Sequence, residues 1–154
     1  MTAEVLKSDA NNLPILGGIA DVSLETRMFR LEETTNFLRV AHATPLMYSV
    51  LALATANPAN IKATAGRVFS GVLNNASAAA KYVRLYNKAT APTVGTDVPL
   101  MVFSIPASSS KEFNFGPTGM TFAAGIAISI TGAAPDNDAT VVAAGDVRAT
   151  IAYQ

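Results

Sequence analysis

Between Met120 and Thr131 the chain alternates without a break. Even positions read Met120, Phe122, Ala124, Ile126, Ile128 and Ile130. Odd positions read Thr121, Ala123, Gly125, Ala127, Ser129 and Thr131. A period of two over this length is a strand pattern, because a helix face recurs every 3.6 residues. The even face reads as core. The odd face is small and mildly polar, and Ala127 at its centre reads as a close-packing contact against a second subunit or an N-terminal arm.

Other segments follow the same rule. Arg67–Asn74 (RVFSGVLN) is rich in β-branched and aromatic residues and stops at Asn74–Asn75. Ala76–Ala80 is a small-residue connection that could hold one helical turn. Tyr82–Asn87 puts Tyr82, Arg84 and Tyr86 on one face and Val83 and Leu85 on the other. Val98–Ile105 reads as a strand closed by Pro106 and the Ser108–Ser110 run. Phe113 and Phe115 lie on a short strand. Val147, Ala149, Ile151 and Tyr153 alternate with Arg148, Thr150 and Ala152. Loops break the pattern at KATAPTVGTD (88–97), Gly116–Gly119 and APDND (134–138).

The first half is less regular. Residues 1–25, with Asn11–Asn12, Pro14 and Gly17–Gly18, read as an extended arm. Its apolar Leu13, Ile15, Leu16 and Ile19 are candidate contacts with a neighbouring subunit or a capsid. Residues 26–56 are harder to read: TRMFRLEETTNFLRVAH (26–42) could be a helix, but its apolar residues share a face poorly, and Thr34–Thr35 and Phe37–Val40 favour strand. Residues 48–55 (YSVLALAT) are apolar on both faces and suit a short buried strand, although periodicity alone does not decide a run of this kind.

Many strands with Gly, Pro and Asn turns and no intervening helices imply a sandwich. The expectation is an all-β, antiparallel β-sandwich, jelly-roll-like, of about eight strands. The arm would be residues 1–25 and the sandwich domain residues 26–154.

Composition narrows the function. The chain is 50% hydrophobic and only 14% charged, against about 25% in typical domains. Its 28 alanines and lack of Trp favour tight packing over large anchors. It has no Cys, which removes disulfides and thiolate chemistry. No run of about 18 apolar residues suggests a membrane-spanning helix. The start, MTAEVLKSDANN, lacks the basic region and apolar core of a signal peptide.

Net charge is zero but segregated: −3 over residues 1–33, +6 over 34–96 and −3 over 97–154. The middle block could meet nucleic acid. With scattered bases and a near-neutral pI, mutual pairing of the blocks is the preferred reading.

No catalytic constellation appears. His42 is the one histidine, and no G-x-S-x-G or phosphate-loop motif accompanies it. Asp136, Asn137 and Asp138 could offer oxygen ligands to calcium, but the EF-hand spacing fails and local turn hydrogen bonds explain them better. Tyr82, Arg84 and Tyr86 could stack bases or bind sugar; a core face with a stacked arginine is the ordinary alternative. The expectation is a non-enzyme with no cofactor or metal.

Several stretches carry a resemblance. They are ANIKATAGRVFSGVLNN (59–75), AAAKYVRLYNKATAPTVGTDVPL (78–100), IPA (105–107), FAAGIAISITGAAPDND (122–138) and AAGDVRATIAY (143–153). YVRLYNKATAPTVGTDVP is the most specific of them. Together they resemble small virion structural proteins of tailed bacteriophages. The resemblance implies a small β-sandwich on the capsid surface, a decoration or cement protein that is homotrimeric and has the major capsid protein as partner. It implies neither nucleic acid nor membrane as a partner. A tail- or head-fibre module that binds glycan or receptor is the alternative it leaves.

Overall fold

The structure is a computed structural model, and it describes residues 44–154. The contact residues Leu13, Ile15, Leu16 and Ile19, the arm, His42 and the start of the expected domain at residue 26 lie outside the described residues.

Nine strands form two antiparallel sheets, with no helix among the described residues. In chain order they are β1 (Leu46–Leu51), β2 (Ala59–Lys62), β3 (Gly66–Asn75), β4 (Lys81–Asn87), β5 (Met101–Ile105), β6 (Ser109–Asn114), β7 (Met120–Phe122), β8 (Ile126–Thr131) and β9 (Val147–Tyr153). The first sheet runs β1-β9-β3-β6, with β7 also paired to β3; the second runs β2-β8-β4-β5. Most connections pass from one sheet to the other, which is the jelly-roll arrangement of paired Greek keys.

Alternation explains the core. Val83 and Leu85 of β4, Ile126, Ile128 and Ile130 of β8, and Val147, Ala149 and Ile151 of β9 are all buried in one cluster. Phe103 of β5 stacks on Phe113 of β6 at 4.5 Å between ring centroids, joining the sheets at one end. Gly71 of β3, opposite Phe113, leaves room for that ring: a Cβ there would come within 2.5 Å of it. Two buried asparagines tie loops to the sheets. Asn75 donates to the carbonyls of Ala79, Ile105 and Pro106. Asn57, at φ 50°, accepts from Leu53 N and donates to the carbonyls of Leu53 and Thr55.

The alternating run from Met120 to Thr131 is two strands, not one. Its first part pairs with β3 and its second with β4 and β2, so the chain changes sheet at Ala123–Gly125. The corner is held by Ala124 N donating to Asn87 Oδ1 (2.8 Å) and by Lys88 N donating to Gly125 O (3.0 Å). Period two continues through the bend, so a pattern cannot reveal it.

Other boundaries also move. The strand expected from Val98 begins at Met101, since Asp97 to Leu100 belong to the preceding loop. Only Ser108, at φ 48°, makes the turn before β6; Ser109 and Ser110 join the strand. Ala76–Ala80 is a bend with no helical turn. β2 has too few residues to stand out by pattern. Residues 48–55 are not a buried strand: β1 ends at Leu51 and lies at the edge of its sheet among the described residues.

Candidate assembly surface

The two outer faces of the sandwich differ. On the second sheet, Tyr82, Arg84 and Tyr86 of β4 stand beside Thr131, Ser129 and Ala127 of β8. All but Tyr82 are buried. Loops 88–100 and 132–140 lie over this face, and they meet where Gly95, at φ 89°, approaches Ala139 and Asn137. Arg84 is fully buried, with its guanidinium 5.9 Å from the Tyr82 ring centroid. It donates to Thr131 Oγ1 and to the carbonyls of Ala133 (2.8 Å), Ala134 (3.2 Å) and Pro135 (2.6 Å). Tyr86 and Ser129 share a hydroxyl hydrogen bond of 3.0 Å. The aromatic–basic–aromatic triplet is therefore a covered face with a stacked arginine, and it is closed to bases and sugars.

The PDND loop is built by local hydrogen bonds. Asp138 accepts from Ala133 N (2.8 Å), Thr140 N (3.0 Å) and Thr140 Oγ1 (2.5 Å). Desolvation raises its pKa, but the hydrogen bonds from Thr140, Ala133 and Thr131 outweigh it and hold the carboxyl at about 2. An unfolded aspartate titrates near 3.9. The stabilisation is thus complete above roughly pH 4 and lost as the pH falls towards about 2. Asp138→Asn is expected to lower the Tm at pH 6 and to flatten the fall in Tm between pH 4 and pH 2, measured by circular dichroism. An unchanged slope would mean the loop bonds do not contribute.

The loop of the most specific sequence stretch is structural too. Asp97 pairs with Lys88 and accepts from Thr93 N at 2.6 Å, closing the PTVGTD turn. The hydrogen bond from Lys88, helped by that from Thr93, holds the Asp97 carboxyl below the usual carboxylate range. Lys81 pairs with Asp146 at 3.1 Å. Both ion pairs join a base of the 34–96 block to an acid of the 97–154 block. The charge segregation thus serves, at these positions, to bring parts of one chain together.

The first sheet presents a different outer face. Met47, Ala152, Ser70 and Asn114 form one row across β1, β9, β3 and β6; Ser49, Thr150, Val72 and Glu112 form the next. A shallow groove of about 390 Å³ runs over these two rows. Its lining is uncharged apart from Glu112, with Met47 and Phe113 as its largest apolar groups. Along the β1 side apolar exposure is high: Leu46 58%, Met47 65%, Leu51 49% and Leu53 66%. Val141 (62%) is exposed next to Val142, whose N donates to Thr55 O. Met47 and Leu51 share the outer face of β1 and Leu46 lies on the other, so this strip is an edge of exposed apolar side chains and not one flat face. Single exposed leucines are ordinary on soluble proteins, whereas several along one edge mark a contact surface.

Sequence reading missed this strip because an apolar run on both faces of a strand looks buried. The one available sign was the absence of any charge from Leu46 to Leu53. Of the expected contact residues, the described part holds Ala127 alone. It is fully buried in β8, between Tyr86 of β4 and Asn60 of β2. Among the described residues no group of three or more His, Cys, Asp or Glu could hold a metal ion.

No family model matches the chain, and no curated protein matches it. Among solved structures it is similar to a chain of the disulfide-linked pili that are Bacillus endospore appendages. That likeness has 16% identity, covers 78% of this chain and 98% of that one, and has a TM-score of 0.36. It is also similar to the Tobacco streak virus coat protein, with 12% identity, 71% of this chain and 86% of that one covered, and a TM-score of 0.31. Both likenesses are too distant to carry a functional assignment.

Proposed function

We propose that the chain is a non-catalytic structural protein of a tailed-bacteriophage particle, a decoration or cement protein that clamps neighbouring major capsid subunits. The observation that carries this reading is the uncharged edge of the jelly roll at β1, where Leu46, Met47, Leu51 and Leu53 are exposed. A protein acting alone has no use for such an edge, whereas a shell component gains contact area from it. The sequence resemblance over about residues 49–154 supports the phage assignment. In this reading the protein sits on the capsid surface of the virion as a homotrimer and needs no cofactor, nucleic acid or membrane. Closed symmetric assembly buries matching patches. Leu13, Ile15, Leu16 and Ile19, outside the described residues, are the further apolar contacts of this proposal, at roughly 25 cal/mol per Å² before association costs.

Electron cryo-microscopy of the particle, with the copy number measured against the major capsid protein, tests the proposal. Many copies in fixed ratio to the shell protein, grouped in threes, are expected. A handful of copies at a vertex or tail would overturn it in favour of a host-recognition module.

A further inference from the structure

From the edge strand β1 we infer a second contact: two copies of this chain join β1 to β1 in antiparallel register about a two-fold axis at Ser49. This inference needs only the jelly roll and does not rest on the phage assignment.

Among the described residues five strands have an open edge; β7 is only three residues long, and three of the other four are protected. β6 carries Lys111 and Glu112. β2 is short, carries Lys62 and has a register shift between Asn60 and Lys62. β5 ends before Pro106, and its Ser104 carbonyl accepts from Lys111 Nζ at 3.3 Å. Charges, bulges and prolines of this kind prevent strand addition. β1 is flanked by Pro45, as β5 is by Pro106, but carries no charge and no register shift: it reads LMYSVL and pairs with β9 in unbroken register from Leu46↔Tyr153 to Leu51↔Arg148.

The backbone specifies what can add. Ala52 N donates to Val147 O at 2.7 Å, and Gly145 N donates to Ala52 O at 2.8 Å, so the even-numbered residues of this stretch turn their polar groups towards β9. The odd-numbered residues, Met47, Ser49 and Leu51, therefore turn theirs to the other edge. An added extended strand satisfies all of them. Another β1 does so when Ser49 faces Ser49. Met47 then stands opposite Leu51 of the partner subunit, so exposed apolar side chains cover each other. On the inner face Tyr48 stands opposite Val50 of the partner subunit. The strand bears no charge, so self-pairing brings no like charges together. The two first sheets become one continuous sheet, and the contact is isologous.

The absence of cysteine makes the test clean. Ser49→Cys in the full chain is treated with a short bismaleimide and run on a denaturing gel. A covalent pair is expected as the main product, readable whatever the higher assembly because each chain carries one thiol. Ser110→Cys, on the protected β6 edge, is the control and is expected to remain single. Adding Leu51→Lys to Ser49→Cys is expected to lower the linked fraction roughly tenfold, since an edge lysine blocks strand addition. The inference is overturned if folded Ser49→Cys stays single, if Ser110→Cys links equally well, or if Leu51→Lys changes nothing. A particle that proves not to be a phage head leaves the cross-linking result untouched.

Discussion

Arg84→Ala is expected to destabilise the domain by about 3–5 kcal/mol, from the loss of a large buried side chain and the orphaning of its acceptors. Arg84 is fully buried and has no carboxylate among its hydrogen-bond partners; Thr131 Oγ1 and three consecutive carbonyls of the 133–135 loop receive its protons. Truncation removes packing over Tyr82 and leaves those acceptors under a covered face. A stability of about 5–15 kcal/mol leaves little margin for such a loss.

Two variants separate the causes. Arg84→Met keeps most of the volume and is expected to cost about 2 kcal/mol, the effect of unpaired acceptors alone. Arg84→Lys keeps the charge but not the planar fork, so it cannot reach three carbonyls at once. Urea unfolding measures the total, and amide hydrogen exchange in residues 132–140 shows whether the loop opens first. A loss below about 1 kcal/mol for Arg84→Ala would mean that water satisfies the loop and that Arg84 does not hold it.

The second large effect is at Gly125. Gly125→Ala is expected to cost about 3 kcal/mol, at the upper end of overpacking penalties. The added Cβ would lie 2.7 Å from Ala89 Cα, 2.7 Å from Lys62 O and 2.8 Å from Lys88 O. All three are backbone atoms, so no side chain can rotate away. Gly132→Ala is the matched control, because its closest neighbour is the Thr140 side chain at 2.9 Å, which can yield. A thermal melt in which both variants behave alike would show that the sheet-crossing corner relaxes. On chain entropy alone Gly125→Ala should be mildly stabilising, because its φ is not in the left-handed region, so the sign of the measured change decides between local preference and tertiary crowding.

The same residue shows how far sequence reading reached. Alternation correctly separated Val83 and Leu85 from Tyr82, Arg84 and Tyr86, and it placed Ile126, Ile128 and Ile130 in the core. It also led to an antiparallel sandwich of jelly-roll kind, because many short strands with turn residues between them leave few other ways to bury one face of each. It failed at Ala123–Gly125, where the chain turns from one sheet to the other without breaking period two. It left residues 48–55 open to a buried strand because exposure of β1 depends on what lies beside it, and β1 has only β9 there among the described residues. The candidate contact strip was illegible for the same reason.

Met120–Thr131 sums up the division. Alternation alone puts its side chains on two faces and the isoleucine face in the core, because period two is a property of the extended backbone. Pairing in three dimensions splits the run between two sheets. It also buries Ala127, Ser129 and Thr131 beside Tyr86 and Arg84, on a face crossed by the 88–100 and 132–140 loops. Which sheet a strand joins, and what covers its second face, depend on pairing partners distant in the chain, and a local pattern contains no record of them.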